Sequence, residues 1–150
     1  MPAEITIRPI RADDKPAWRA LWTAYLEFYE TKLDDAVYDS SFARMLSGDP
    51  GEFQGLVAER DGVLVGLTHF LFHRSMWSVE NTCYLMDLYV DPSLRGGGVG
   101  RKLIEAVHTI AKDNGCSGTY WLTQEFNYKG RMLYDQVATR TPFIKYAKKD

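Results

Sequence analysis

The sequence predicts an α+β fold, a mixed α/β sandwich in which helices cover a sheet. Two kinds of segment support this prediction: stretches with the two-residue alternation of strands, and stretches with the three- and four-residue apolar spacing of amphipathic helices. Their predicted order is strand, two helices, three strands, helix, strand, helix, strand, which is not the regular βαβ repeat of a parallel sheet. A chain of 150 residues has room for one domain. We therefore expect a single domain over residues 1–150.

The N-terminal half is predicted to hold one strand, two helices and a hairpin. Residues 4–8 alternate polar and apolar side chains, as in a half-buried strand, and Pro9 ends the alternation. A shorter helical pattern lies within 37–46, and the dipeptide Asp61-Gly62 between two apolar runs predicts a β-hairpin. The longer helix is predicted by apolar side chains at three- and four-residue steps: Trp18, Leu21, Trp22, Tyr25, Leu26 and Tyr29.

The C-terminal half is predicted to alternate strands and helices. The segment Thr82–Val90 is almost continuously apolar, which is typical of a strand buried on both faces, and Asp87 is its single charge. A glycine-rich loop follows, and then an amphipathic helix that ends near Asn114-Gly115. The remaining predicted elements are a short strand over 119–123, a helix over 128–137 and a last strand over 143–146.

Charge and hydropathy exclude two classes of partner. Lysine and arginine total 18 against 20 for aspartate and glutamate, so the net charge is −2. A duplex-binding protein usually has a basic surface, so we expect no nucleic-acid partner. No stretch reaches the roughly 18 apolar residues of a membrane-spanning helix, and we expect no membrane partner.

Cysteine and histidine usage predicts location and metal content. Cys83 and Cys116 do not form a disulfide framework, and the N-terminal residues lack the apolar core of a secretory signal, so we expect a cytoplasmic protein. His69, His73 and His108 do not have the spacing of metal ligands. We therefore expect no metal.

The loop after the buried strand is the strongest chemical signal in the chain. It contains four glycines in six positions, which allow tight turns and close approach of backbone to a ligand. The helix that follows presents unpaired N–H groups and its positive dipole end, which suit a phosphate or pyrophosphate. The alternative is a flexible connector. The residues of this candidate site are Arg95, Gly96, Gly97, Gly98, Val99, Gly100 and Arg101.

Two common phosphate-binding patterns do not fit this loop. After Gly98-Val99-Gly100 come Arg101 and Lys102, so the dinucleotide pattern GxGxxG fails. The loop also lacks the Gly-Lys pair and the following Ser or Thr of a Walker A motif.

What does fit is (Gln/Arg)-x-x-Gly-x-(Gly/Ala), found here as residues 95–100 directly after Met86-Asp87-Leu88-Tyr89-Val90-Asp91-Pro92. This combination resembles the signature of the GNAT superfamily of acetyl-CoA-dependent N-acetyltransferases. Arg8-Pro9, the Asp-Gly hairpin, and Asn127 followed by Leu133-Tyr134 extend the resemblance over essentially the whole chain.

The resemblance implies a fold and a reaction. The fold is a mostly antiparallel central sheet that splays between its fourth and fifth strands and is flanked by about four helices. The reaction is acetyl transfer from acetyl-CoA, as co-substrate, to a primary amine by direct attack in a ternary complex. The chain also resembles the diamine acetyltransferases. Its closing run, residues 141–146, resembles a subgroup that includes fungal enzymes acting on histones, polyamines and D-amino acids.

The resemblance also implies roles for particular residues. Leu88, Tyr89 and Val90 would hold the pantetheine arm and place an N–H near the thioester oxygen, the glycine loop would hold the pyrophosphate, and Asn127 would hold the arm from the far side. Tyr134 matches the family tyrosine that protonates the departing thiolate, and a tyrosine pKa near 10 suits a proton donor.

The base that deprotonates the amine is left open by the sequence. Asp87 is a lone carboxylate in a buried strand, so it is either a hydrogen-bonded core group or a catalytic residue. In the diamine acetyltransferases a glutamate lies one position earlier, where this chain has Met86. Glu80, Glu125 and a chain of water molecules are the other candidates.

The end of the first helix is aromatic and acidic, which suits a cationic amine. We expect Tyr29 and Glu30 to bind the acceptor by cation–π contact and charge. The alternative is that Tyr25 and Tyr29 pack inward while Glu27 and Glu30 form a solvated face. The expected acceptor is a small-molecule amine. Other hypotheses are a protein lysine or N-terminal acetyltransferase and a non-catalytic acyl-CoA-binding module, and a homodimer is compatible with the sequence.

Overall fold

The computed structural model describes residues 4–150, which form a single five-stranded sheet with helices on both faces. The strands lie in the order β1-β2-β3-β4-β5. The first three pairings are antiparallel, and β4 pairs with β5 in parallel. The expected α+β, mostly antiparallel fold is therefore confirmed. The elements are β1 (Thr6–Pro9), α1 (Lys15–Phe28), α2 (Asp35–Met45), β2 (Gln54–Arg60), β3 (Val63–His73), β4 (Thr82–Val90), α3 (Val99–Asp113), β5 (Thr119–Tyr120) and α4 (Tyr128–Val137).

Each face of the sheet has its own hydrophobic cluster. On one face α3 buries Val99, Leu103, Ile104, Val107 and Ala111 against the sheet. On the other face α1 and α2 pack over the sheet around Trp18, which is fully buried. The predicted helical spacing of these segments therefore corresponds to the face that each helix buries. None of the helices within residues 4–150 has the length and apolar character needed to cross a bilayer.

The predicted hairpin is confirmed at Asp61-Gly62. Both residues have positive φ angles, 52° and 77°, and Arg60 pairs with Val63 across the turn. Two left-handed residues in a row match the right-handed twist of the two strands, which explains why Asp-Gly is favoured here.

A β-bulge at Met86 decides which way Asp87 faces. His69 pairs with Asp87 while Phe70 pairs with Leu85, so Met86 has no partner on β3. Leu85 packs into the α3 cluster, whereas Asp87 lies beside His69 on the α1 face. Without the extra residue, Leu85 and Asp87 would point to the same side of the sheet.

The sheet opens between β4 and β5, as expected. These strands pair only at Cys83↔Thr119 and Tyr84↔Tyr120. From Leu85 onward, β4 has no strand partner on that side within residues 4–150. The predicted strand over 119–123 is therefore only two residues long, because the chain diverges from β4 after Tyr120.

The prediction of a last strand over 143–146 is wrong: the single chain does not form it. The segment forms no strand pairing in the described part of the chain, and Phe143, Ile144 and Tyr146 are exposed. Its apolar residues favour an extended conformation, but a strand also needs a neighbouring edge, which the local pattern cannot supply.

Candidate active site

The opening between β4 and the chain after β5 forms a cleft. It is walled by α1, β4, α3, α4 and the segment that follows β5. Its lining combines apolar and aromatic side chains with the hydroxyls of three tyrosines and a threonine, which suits a small-molecule site. The lining residues are Tyr25, Tyr29, Leu85, Met86, Leu88, Ile104, Trp121, Leu122, Thr123 and Tyr134.

Tyr134 lies in this cleft, carried by α4 at its wall. Its ring meets Trp121 edge to face at 5.6 Å between centroids. Burial, and to a lesser degree the neighbouring Tyr29, raise the pKa of Tyr134 above its ordinary value. The phenol therefore keeps its proton at neutral pH and is suited to donate it.

The start of α3 is free to bind an anion. Gly98 precedes the helix with φ of 84°, and the N–H groups of Val99, Gly100 and Arg101 make no hydrogen bond within residues 4–150. The space around the α-carbons of Gly96 and Gly98 is open. Unpaired amides at the positive end of a 15-residue helix fit a pyrophosphate group.

The side chains of Arg95 and Arg101 contact other residues of the chain. Arg95 Nε donates to the Val90 carbonyl at 3.1 Å, and its guanidinium lies 5.4 Å from the Tyr89 ring centroid. Arg101 donates to the Gln136 side chain. The two arginines therefore brace the loop against β4 and α4, and their charge stays beside the start of α3.

The three predicted positions on β4 differ in their surroundings. The side chain of Leu88 lines the cleft. Tyr89 packs on the α1 face and Val90 in the α3 cluster, so both side chains are buried away from the cleft. Any contact of Tyr89 or Val90 with a ligand in the opening would therefore come from the backbone at the unpaired edge of β4.

Asn127 caps α4 and ties it to the wall of the cleft. Its Oδ1 accepts from the Gly130 N–H at 3.3 Å, and its Nδ2 donates to Thr123 Oγ1 at 2.9 Å. Thr123 lines the cleft and α4 carries Tyr134. Asn127 therefore holds these two walls together, and contact with a pantetheine arm stays a prediction.

Asp87 lies outside the cleft lining, in a hydrogen-bonded chain on the α1 face. Its Oδ2 is 2.9 Å from His69 Nδ1, and Trp18 Nε1 donates to His69 Nε2 at 2.9 Å. Tyr25 lines the cleft, and the pKa of its hydroxyl is raised first by burial and next by the charge of Asp87.

Sequence reasoning did not assign a role to Trp18, Tyr25 or His69. The one available signal was that two neighbouring predicted strands each carry an ionisable side chain in a mostly apolar run, His69 in one and Asp87 in the other. Which of these would lie opposite each other depends on the bulge at Met86, and that is not visible in the pattern.

The predicted acceptor residues lie at one end of α1. Tyr29 lines the cleft, whereas Glu30 is exposed directly beyond the helix with φ of 54°. The other candidate bases, Glu80 and Glu125, are exposed and outside the lining. Residues 4–150 hold no group of three or more His, Cys, Asp or Glu side chains that could ligate a metal.

An open sheet edge beside an amide-lined helix start, with a half-buried tyrosine in the opening, fits an acyltransferase that takes its acyl group from a coenzyme A thioester. The sequence model of the Acetyltransferase (GNAT) family matches residues 15–138. The chain belongs to this family and is an acetyl-CoA-dependent N-acetyltransferase.

Individual relatives support this membership. A D-amino-acid N-acetyltransferase of Saccharomyces cerevisiae is 35% identical over 143 residues, which are 95% of this chain and 89% of that protein. A thialysine N-epsilon-acetyltransferase of Sus scrofa is 37% identical over 91 residues, 61% of this chain and 49% of the relative. A crystal structure of an aminoglycoside N-acetyltransferase in complex with CoA has a TM-score of 0.86 at 20% identity and covers 99% of this chain and 97% of the other.

Proposed function

We propose that the chain transfers an acetyl group from acetyl-CoA to the primary amine of a small molecule, such as an amino acid or a polyamine, within a ternary complex. The observation that carries the proposal is the cleft, which is lined by a half-buried phenol and by the unpaired end of β4. The relatives named for D-amino acids and thialysine favour an amino-acid acceptor.

The donor fits along the open edge of β4. Its backbone groups from Leu88 to Val90 have no strand partner on the cleft side and are available to the pantetheine arm. The free amides of 99–101 would hold the pyrophosphate. Asn127 would face the arm from the opposite wall. When bound, acetyl-CoA supplies the activated acetyl group as a thioester.

The chemistry needs three proton transfers around one bond exchange. Asp87 receives the proton that the ammonium loses, and the neutral amine nitrogen then attacks the thioester carbonyl carbon, so that a C–N bond forms and the C–S bond breaks. Tyr134 gives its proton to the departing sulfur, and the second proton that the nitrogen loses as the amide forms restores the phenol of Tyr134. A backbone N–H of β4 near Leu88 stabilises the negative carbonyl oxygen, a contribution of roughly 2.7–4 kcal/mol in other enzymes.

The acceptor enters from the end of α1. Tyr29 offers an aromatic face inside the cleft, and the exposed Glu30 that follows it in the chain adds a negative charge. A cation is attracted by both features. A small amine therefore reaches the thioester with its charge facing these two side chains.

The test is release of coenzyme A thiol from acetyl-CoA across a panel of acceptors. The panel holds D- and L-amino acids, thialysine, diamines, and lysine-containing and free N-terminal peptides. We expect turnover with small amines. Turnover with peptides alone would make the chain a protein acetyltransferase, and donor binding without release on any acceptor would make it a binding module.

We also propose that two copies of the chain pair. Exposed apolar side chains cluster on the β3–β4 loop and on the C-terminal segment, where the rings of Trp77 and Phe143 lie 6.2 Å apart. Such a patch marks an interaction site, and a second copy would also supply a partner for 143–146.

Light scattering after gel filtration tests the pairing. We expect a mass of about twice 17.2 kDa. Phe143→Ser with Ile144→Ser should return it to the single-chain mass, whereas Tyr128→Ser, at an exposed site on α4, should not. A single-chain mass for the unaltered protein would overturn the proposal.

We further propose a cytoplasmic location. Cys83 and Cys116 are free thiols, and burial raises the pKa of Cys83 to about 12. Free thiols are typical of a reducing compartment. Cell fractionation with detection of the native chain tests this, and recovery in an oxidising compartment would contradict it.

A further inference from the structure

Four aromatic residues follow one face of α1 toward the cleft. They are Trp18, Trp22, Tyr25 and Tyr29, spaced by four, three and four positions, which places them on one side of a helix. Trp18 and Trp22 pack in the cluster beneath α1 and do not line the cleft, whereas Tyr25 and Tyr29 form part of its lining. This aromatic face therefore runs from the core of the protein to the wall of the site.

Ring contacts connect the side chains of this face from Trp22 to the cleft. The rings of Trp22 and Tyr25 are stacked, with 4.7 Å between centroids and 15° between planes. The rings of Tyr25 and Tyr29 follow at 5.0 Å, and Tyr25 also meets the ring of Tyr89 on β4 edge to face at 6.3 Å. Contacts of this geometry stabilise ring pairs. The Tyr25 ring is therefore held by Trp22 of its own helix and by Tyr89 of the sheet.

His69 fixes the inner end of the aromatic face to the sheet. Its ring meets Trp22 edge to face at 4.7 Å, and its Nε2 accepts the indole N–H of Trp18 at 2.9 Å. Trp18 and His69 are both buried. Sliding or turning of α1 would break this hydrogen bond and leave two buried polar groups unpaired, which is costly. The helix and the rings that it carries are therefore held in one position on β3.

Another wall of the cleft is also aromatic. Trp121, from the segment after β5, and Tyr134, from α4, meet edge to face at 5.6 Å and line the cleft. The space for an acceptor is therefore bounded by rings from two parts of the chain, and a shift of the Tyr25 ring changes its width. Trp22 lies outside the lining, so it can affect this width only through the ring that it supports.

We propose that Trp22 is a positioning residue that limits the size of the acceptor by holding Tyr25 and Tyr29 in place. The inference rests on the proposed function and concerns the acceptor side of the same site. It predicts that the enzyme prefers a slim amine to one with a bulky group near the nitrogen. Among D-amino acids, D-alanine should therefore be a better acceptor than D-phenylalanine, which carries an additional phenyl ring.

The test measures kcat and KM for these two amino acids by thiol release from acetyl-CoA, in the unaltered enzyme and in Trp22→Leu. We expect kcat/KM for D-alanine to fall about tenfold, mainly through KM, because the acceptor is positioned less well. For D-phenylalanine kcat/KM should stay the same or rise, so the ratio of the two values should fall about tenfold or more. The KM for acetyl-CoA should stay within about twofold.

Two further variants separate positioning from a loss of stability. Trp22→Phe keeps a smaller ring against Tyr25, so the ratio should fall only about twofold. Phe42→Leu also removes a ring from the cluster beneath α1, but Phe42 lies on α2, contacts Trp18 and is outside the cleft lining. It should lower the melting temperature as Trp22→Leu does and leave the ratio unchanged.

The outcomes separate the inference from the proposed function. An unchanged ratio in Trp22→Leu would overturn the inference, and so would an equal fall in Phe42→Leu. If Trp22→Leu shows no cooperative melting transition, an unchanged ratio in Trp22→Phe would overturn it instead. An unaltered enzyme that acetylates other amines but does not prefer D-alanine to D-phenylalanine would also overturn it. Absence of thiol release with every amine of the panel would instead overturn the proposed function.

Discussion

At the scale of single residues, we propose that Tyr134 is the acid that protonates the leaving thiolate. Tyr134→Phe removes only the hydroxyl of a half-buried ring packed against Trp121. We expect kcat to fall roughly 10²–10³-fold, because the thiolate must then leave unprotonated. Acetyl-CoA affinity, measured by calorimetry, should stay within about twofold.

Tyr128→Phe provides the comparison for that variant. Tyr128 lies on the same helix but is exposed and outside the cleft, so its hydroxyl should not affect kcat. An unchanged kcat in Tyr134→Phe would exclude the acid role.

Another residue-scale prediction concerns the buried ion pair near the start of α1. Arg8 donates to both carboxylate oxygens of Asp14, at 2.8 and 2.9 Å, and to Glu59 at 2.7 Å. The hydrogen bond from Arg8 is the main reason that the pKa of Asp14 lies below its ordinary value. We expect Asp14→Asn to reduce the free energy of unfolding at pH 7 by roughly 2–3 kcal/mol.

The pH dependence of this contribution follows from the direction of the shift. A carboxyl with a lowered folded-state pKa contributes fully above the unfolded pKa of about 3.9 and loses its contribution as the pH falls further. Urea unfolding between about pH 5 and 2 should therefore show a shallower loss for Asp14→Asn than for the unaltered chain. The exposed Asp13→Asn should behave like the unaltered chain, and identical slopes for Asp14→Asn would contradict the assignment.

At the scale of elements, the start of α3 can be tested through Gly98. Its φ of 84° is unfavourable for any side chain, although no atom lies within 4 Å of an added Cβ. Gly98→Val should therefore fold with a loss of about 1–2 kcal/mol, yet lose acetyl-CoA binding as the loop changes shape.

Gly48→Val separates strain from binding. Gly48 has φ of 75°, is equally open, and lies in the loop after α2, away from the cleft. It should lose similar stability and keep full acetyl-CoA affinity. Equal affinity in both variants would show that the α3 start does not hold the donor.

The elements also show what local sequence patterns can and cannot predict. The hairpin at Asp61-Gly62 was predictable because its two left-handed residues are a local requirement. The missing strand at 143–146 was not, because strand formation depends on a neighbouring edge. The glycine loop was likewise predictable, because four glycines in six positions stand out in the sequence.

The hydrogen-bonded chain from Trp18 to Asp87 could not be predicted in the same way. Trp18 and His69 are 51 positions apart, and their contact depends on α1 lying across β3. Asp87 joins them only because the bulge at Met86 turns it to that face. Such contacts are set by packing and register, which the periodicity of one segment does not encode.

At the scale of the whole molecule, donor binding should be visible as stability. A ligand at 100 times its Kd that binds only the folded state adds about 2.7 kcal/mol. For a chain of this size we expect coenzyme A to raise the Tm by roughly 5–10 °C. Gly98→Val should show no rise, and a rise of equal size in that variant would place the binding site elsewhere.

The opening between β4 and β5 has a consequence for the time course of turnover. In the proposed complex, the free strand edge and the amides of α3 would hold the part of acetyl-CoA that is unchanged when the acyl group has gone. Coenzyme A without its acetyl group should therefore compete with acetyl-CoA for the same binding site. We expect the rate to decline as deacylated carrier accumulates, and a steady supply of fresh donor to be needed for sustained acetylation.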